Sequence, residues 1–319
     1  SDHRGDVRFA APALGRPGCG GRAARISCNF QSAAGIALRH AAPITVPTRI
    51  AGSDMSNRST GNSATPYGSA QGGRPFLTAD WRDLIIITWR VDPSILRPFL
   101  AAGTELDTWK GDALASVVAF DFRDTRVHGV HVPFHTRFPE VNLRFYVRRH
   151  MPDGTWRRGV SFVKEMVPNI LTAMVARRMY GEPYEAHAMH QIASPEAPLT
   201  DDNDGGTRSL VYEWKRDGEW ERVLALLTSP PRATRAGSLE EFVTDQAWGY
   251  TRRPGKPTME YRVEHPRWRI TPTNDCYLEA DVPSLYGRAF AESLAAAPLA
   301  TFVAEGSPVS VYPGQPIMT

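Results

Sequence analysis

Three histidines within eight residues, His128-Gly-Val-His131-Val-Pro-Phe-His135, form the densest cluster of side chains in this sequence that could do chemistry. Imidazoles this close together can hold zinc. The spacing argues against it, because Gly129 and Pro133 disfavour a helix and a strand would point His128 and His131 to opposite faces. The expectation is a polar loop of singly hydrogen-bonded histidines without a metal. His187 and His190 repeat the spacing in a predicted strand and should diverge in the same way. Cys19, Cys28 and Cys276 match neither a disulfide framework nor a zinc signature, so a reducing, cytoplasmic compartment is expected. There is no Gly-x-Ser-x-Gly elbow, phosphate loop, His-Glu-x-x-His or Cys-x-x-Cys. One match to a dinucleotide fingerprint, Gly18 to Ala23, has no strand pattern before it and no helix pattern after it. No motif asks for a cofactor.

The elements that must position any site begin near Phe76. Runs over 84–91 and 113–122 are almost continuously apolar or β-branched and read as buried strands. Segments 141–149 and 156–167 flank Pro152-Asp153-Gly154, and 209–216 and 219–227 flank Asp217-Gly218, which predicts two antiparallel hairpins. Counting outward from the second turn sets Glu213 opposite Arg222, an opposite-charge pair that supports this register. Further strands are expected near 186–192, 259–265, 276–281 and 308–312. Helices are few: short turns over 94–102 ending at Gly103, a helix over 169–180 closed by Gly181 and Pro183, one from the Ser238-Leu-Glu-Glu241 capping box to about Trp248, and one over 284–297. Many antiparallel strands, few helices and no βαβ alternation argue an α+β domain built on a barrel or curved sheet.

Composition divides the 319 residues in two. Residues 1–74 hold nine Arg and three Asp with no Lys, Glu or Trp, a net charge of +6, whereas the rest carries −3. Rich in Gly, Ala, Ser, Pro and Arg, the first part cannot bury enough apolar surface to offset chain entropy, and it is expected to be a disordered leader, with Met55 a candidate true start. A targeting peptide is the alternative, although no amphipathic run supports it. Residues 75–319 are expected to form a single domain. The net charge of +3 gives little reason to expect nucleic acid, and no stretch approaches the roughly 20 apolar residues of a membrane span. Nothing in the pattern fixes an oligomeric state.

The run from Arg82 through Arg90-Val-Asp92, together with Ala102-Gly-Thr-Glu-Leu-Asp107, Phe120-Asp-Phe-Arg-Asp-Thr-Arg126, Val132-Pro-Phe-His135 and Glu140-Val-Asn-Leu-Arg-Phe-Tyr-Val-Arg148, resembles the bacterial YqjF-like family over about residues 76–316. That family is distantly similar to the acetoacetate decarboxylases. The resemblance implies a cone-shaped, mainly antiparallel β-barrel with about four short helices around an enclosed site. It makes Arg82 the counterpart of the decarboxylases' arginine and Glu140 the nearest counterpart of a catalytic-site glutamate. Where those enzymes carry Gly-x-Pro-Lys-Lys, whose first lysine forms a Schiff base, this chain has Gly181-Glu-Pro-Tyr184-Glu185.

That departure matters because only a neutral amine attacks a carbonyl, and neither a phenol nor a carboxylate can replace it. Of the four lysines, Lys110, Lys164, Lys215 and Lys256, Lys164 alone lies in a strand that could face a cavity, and a surface ion pair is its ordinary role. Arg82 and Arg144 could offer planar forks to a carboxylate, with Tyr184 and Glu140 orienting the ligand. The resulting expectation is a barrel that binds a small carboxylic or oxo acid. The alternatives are an enzyme performing proton transfer or lyase chemistry on a small oxo acid, with Glu140 as base and Tyr184 as acid for the proton, and a structural or partner-binding domain in which every arginine serves a surface ion pair.

Overall fold

The apolar run that begins at Leu84 belongs to a strand of fourteen residues, Leu77–Arg90 (β1), buried on both faces over most of its length. Strands read as continuous hydrophobic runs when neither face meets water. The computed structural model, which describes residues 73–131, 136–168, 183–195, 199–200 and 206–317, shows why. β1 is followed by Leu114–Val127 (β2), Phe138–His150 (β3) and Trp156–Val167 (β4), each antiparallel to the one before. After the short strand Tyr184–Ala186 (β5) come Ala188–Ser194 (β6), Arg208–Arg216 (β7) and Glu219–Leu227 (β8). Trp248–Thr251 (β9), Met259–Glu264 (β10), Arg269–Pro272 (β11), Cys276–Glu279 (β12) and Ala300–Val311 (β13) follow, and the two-residue strands Glu105–Leu106, Val130–His131, Arg232–Ala233 and Gln315–Pro316 are left unnumbered.

Seven of these strands close into a barrel in the order β1-β2-β3-β4-β9-β10-β13, with β13 returning to pair with β1. The barrel is antiparallel except between β4 and β9, where Trp248 and Gly249 run parallel to Gly159 and Val160. Its inner face gathers Leu84, Ile86, Val118, Phe120, Phe122, Phe138, Tyr146 and Phe302. A second antiparallel sheet, β12-β8-β7-β6, packs on the outside of the wall. There Tyr212, Trp214 and Val223 share a core with Ile85, Ile87, Val117 and Leu143, the residues that alternate with the inner set. The Asp217-Gly218 hairpin has the expected register, with Glu213 opposite Arg222.

The helices are shorter than the sequence suggests. The capped helix is Leu239–Thr244 (α2, after the single turn Pro93–Leu96, α1), and it stops because Trp248 begins a barrel strand. The helix expected over 284–297 is two, Val282–Tyr286 (α3) and Arg288–Ala295 (α4), separated at Gly287, whose φ of 93° a helix does not admit. β9 and β11, and the first eight residues of β13, were not legible as strands. The leader and the helix expected over 169–180 lie outside the described residues.

One buried acid joins the two layers. Asp83 adopts φ 58° at a bulge between β1 and β2. Its carboxylate accepts hydrogen bonds from Arg123 on the wall (2.8 Å) and from Arg208 on the second sheet (2.9 Å). Its carbonyl accepts the Tyr212 hydroxyl at 2.8 Å. Removing one member of such a buried ionic group strongly destabilises, because the partner's charge stays desolvated. Asp83→Asn, which keeps the shape and tolerates positive φ, should cost about 3 kcal/mol in urea unfolding; a loss under about 0.5 kcal/mol, the size of a neutral surface change, would show that the group adds nothing to the docking of the layers.

Candidate functional site

Strand alternation in β3 sets Glu140, Asn142, Arg144 and Tyr146 on one face, and Tyr146 belongs to the inner core. Their partners on β2, which are Phe120 for Glu140, Val118 for Asn142 and Ser116 for Arg144, face the same interior. Glu140 is buried, and its carboxylate accepts the Asn142 amide at 2.9 Å and the Tyr184 hydroxyl at 3.4 Å. Tyr184 reaches it because β5 runs parallel to β4 with Tyr184 beside Glu165, and Glu165 in turn sits beside Asn142. Glu140, Tyr184 and Arg144 therefore share the barrel interior.

Arg144 is 8% exposed and donates from Nη2 to the Val243 carbonyl of α2 at 3.2 Å. Its Nε is buried and has no hydrogen-bond partner among the described residues. The same holds for Asn142 Oδ1 and, just past α2, Gln246 Oε1. Below Arg144 a chain of hydroxyls runs from Tyr146 through Ser116 (2.6 Å) to Thr88 (2.8 Å). Burial pushes the Tyr146 phenol above its ordinary value, with the Arg144 charge pulling the other way. Beyond Glu140 the wall is aromatic: Phe138 stacks on Phe122 at 4.6 Å, Trp81 lies 5.1 Å from Phe120, and Trp268 lies 6.4 Å from Trp81. His265 stacks on Trp268 at 4.1 Å.

Arg82 lies on the other side of the wall. Trp81 turns its indole inward onto Phe120 and Phe122, so the next residue faces out before the Asp83 bulge. Arg82 lines a cleft of about 330 Å³ with Asp83, Arg123, Arg208 and Leu227, between barrel and second sheet, and its guanidinium is 3.4 Å from Asp80. The expectation that one pocket gathers Arg82 with Glu140 and Tyr184 is thus not met. Lys164 also faces outward, opposite Leu143, and pairs with Glu185 at 2.9 Å. Burial works against the Glu185 carboxylate, but Lys164 and His187 outweigh it and hold the group below its ordinary value. The histidines diverge as their spacing predicts, His187 toward Glu185 and His190 toward Glu213. His131 is 3.5 Å from Asp124 and His128 packs edge-on to Phe76, while His135 lies outside the described residues.

Sequence reasoning missed Asn142 and His265. The first had a signal: Glu140-x-Asn142-x-Arg144 is a polar repeat of period two inside an apolar strand, the pattern of a polar stripe on one buried face. His265 lies in a connection between strands and had none.

The sequence profile of the DUF2071 family of uncharacterised conserved proteins matches residues 78–308. The chain belongs to the DUF2071 family. A curated relative of this DUF2071 chain is the Bacillus subtilis strain 168 protein YqjF, 28% identical over 188 residues that make up 58% of this chain and 72% of YqjF. Solved structures with the same fold include acetoacetate decarboxylase from Legionella pneumophila (TM-score 0.52, 12% identity, 80% of this chain and 92% of that one). Another is the enduracididine biosynthesis enzyme MppR in complex with the condensation product of pyruvate and imidazole 4-carboxaldehyde (TM-score 0.53, 17% identity, 80% and 97%). A third is an acetoacetate decarboxylase-like enzyme from Sphingomonas wittichii RW1 (TM-score 0.51, 17% identity, 80% and 99%). Among the described residues, no helix is long and apolar enough to cross a membrane.

With Lys164 outside the wall and held by Glu185, an interior ligand cannot meet its amine. Borohydride reduction in the presence of pyruvate or acetoacetate should leave the intact mass of the DUF2071 protein unchanged; an adduct mapped to Lys164 would contradict this placement.

Proposed function

We propose that the barrel interior binds a small carboxylic or oxo acid, with its carboxylate on Arg144 and without a Schiff-base lysine. The observation that carries this reading is the buried Arg144 Nε with no partner among the described residues. A buried unsatisfied donor costs about 1–3 kcal/mol, more when charged, and a carboxylate is the acceptor whose geometry fits a guanidinium fork. Asn142 Oδ1, on the same face of the same strand, offers an acceptor to a ligand hydroxyl or bound water. The aromatic wall of Trp81, Phe120, Phe122 and Phe138 suits an apolar ligand body. The fold is shared with an acetoacetate decarboxylase and with an enzyme that binds a condensation product of pyruvate, which supports a small oxo acid as ligand class.

The Tyr184–Glu140 contact favours an enzymatic form of the same reading. Tyr184 stands where the resembling decarboxylases carry the Schiff-base lysine, and a phenol hydrogen-bonded to a carboxylate can relay or donate a proton.

Thermal unfolding with pyruvate, acetoacetate and butyrate against uncharged analogues tests the binding. An acid at 100 times its dissociation constant should raise the wild-type Tm by roughly 5 °C. Arg144→Met should abolish the shift and Arg144→Lys weaken it, while Arg82→Ala, on the outer side of the wall, should leave it intact. If no acid stabilises the wild type, or Arg144→Met responds equally, the reading is wrong.

A further inference from the structure

His265, half-buried against the inner-core residue Trp268, is a titratable group that this binding leaves unused. It follows β10 where the two strands that share one edge of β13 part company, β10 pairing at Ser310 and Val311 and β11 at Phe302 to Ala304. Its ring lies nearly flat on Trp268, with an interplanar angle of 17°. Trp268 belongs to the inner core and is fixed by its own Nε1 donating to Ser307 Oγ at 2.8 Å. His265 Nδ1 is 2.9 Å from the carbonyl oxygen of Pro266. A carbonyl can only accept, so Nδ1 holds the proton and Nε2 of the neutral ring keeps a lone pair. No hydrogen bond to Nε2 is made among the described residues.

The charges that act on the ring are those of Arg144 from β3 and Asp245 from the end of α2. Arg267, two residues on, spends its charge on Glu241 (2.7 Å) and Asp245 (3.6 Å). Burial is the main influence on the imidazole and pushes it below its ordinary value; Arg144 acts in the same direction and Asp245 against it. The ring is therefore neutral at neutral pH. Glu140, by contrast, already accepts from Asn142 and Tyr184.

We infer that His265 Nε2 is the general base of the barrel interior, removing a proton from the carbon next to the carbonyl of a 2-oxo acid whose carboxylate rests on Arg144. This rests on the binding reading above and adds a reaction to it. The C–H electron pair becomes the C=C bond of an enolate, the carbonyl oxygen takes the negative charge, and the proton goes to Nε2, where Asp245 stabilises the imidazolium. Return of a solvent-derived proton to carbon restores the acid, so atoms and charge balance with no oxidant, reductant or further substrate.

The experiment is exchange of the methyl protons of pyruvate in D2O, followed by loss of their NMR signal. Wild type should accelerate exchange over buffer, with a rate that rises with pH through a midpoint below 6.5 and is flat above it. His265→Asn should lower the rate about 100-fold, within the usual contribution of a positioned base, while pyruvate still raises its Tm. Arg144→Met should lose both. Stabilisation by pyruvate without accelerated exchange, or a His265→Asn rate equal to wild type, overturns the base and leaves the binding reading standing; no stabilisation at all overturns both. Should His265→Asn not fold, the wild-type imidazole resonances decide: pyruvate on Arg144 offsets a neighbouring positive charge and should raise the midpoint of His265, and a titration that pyruvate does not move rejects the assignment.

Discussion

β13 is hydrogen-bonded along both of its edges, and that double pairing holds the interior shut. One edge pairs with β1 from Ala300 to Val311, and the other is divided between β11 and β10. Closing a sheet on itself leaves no free edge in the wall and encloses a space where water is scarce. Inside it every polar atom must find a partner or remain costly, which gives Arg144, Asn142 and Glu140 their meaning. The same residues on a half-exposed sheet would be solvated and would say nothing.

Closure also decided which parts of the chain could be read in advance. Strands of the wall buried on both faces announced themselves as apolar runs, and the Asp217-Gly218 hairpin gave its register through one turn and one charge pair. Trp248–Thr251 and Arg269–Pro272 are four residues each, too short for a period to emerge, and they are strands only because distant partners in β4 and β13 require them. Glu140 and Tyr184 could be paired through family resemblance because both lie on segments whose motifs were recognisable. The side of the wall that Arg82 occupies depends on the neighbouring Trp81 and on the Asp83 bulge, a local backbone event that residue types do not encode. His265 acquires its setting from Trp268, Arg144 and Asp245, which come together only in three dimensions.

A fold shared with decarboxylases does not transfer their reaction. Their chemistry, by resemblance, needs an amine of lowered basicity, and here the corresponding position presents a phenol that donates to a carboxylate. Lys164, one residue before the Glu165 that pairs with Tyr184, faces the opposite way and is paired with Glu185. The barrel fold persists while the amine is replaced, so likeness of walls does not imply likeness of reaction.

The parallel junction of β4 and β9 has one more consequence. Two parallel neighbours cannot be joined by a tight turn, and the chain between Val167 and Trp248 must leave the wall and come back. That excursion holds Tyr184, strands β6 to β8 and α2, with the Val243 carbonyl that meets Arg144. The closing ladder, meanwhile, is built from β1 to β4, β9, β10 and β13. Tyr184 and the Val243 carbonyl are therefore mounted on a detour, while Glu140, Asn142 and Arg144 sit on the frame, and substitution or insertion in the detour leaves the hydrogen-bonded circumference untouched. A lineage built this way can vary the partners of a buried arginine without first having to refold.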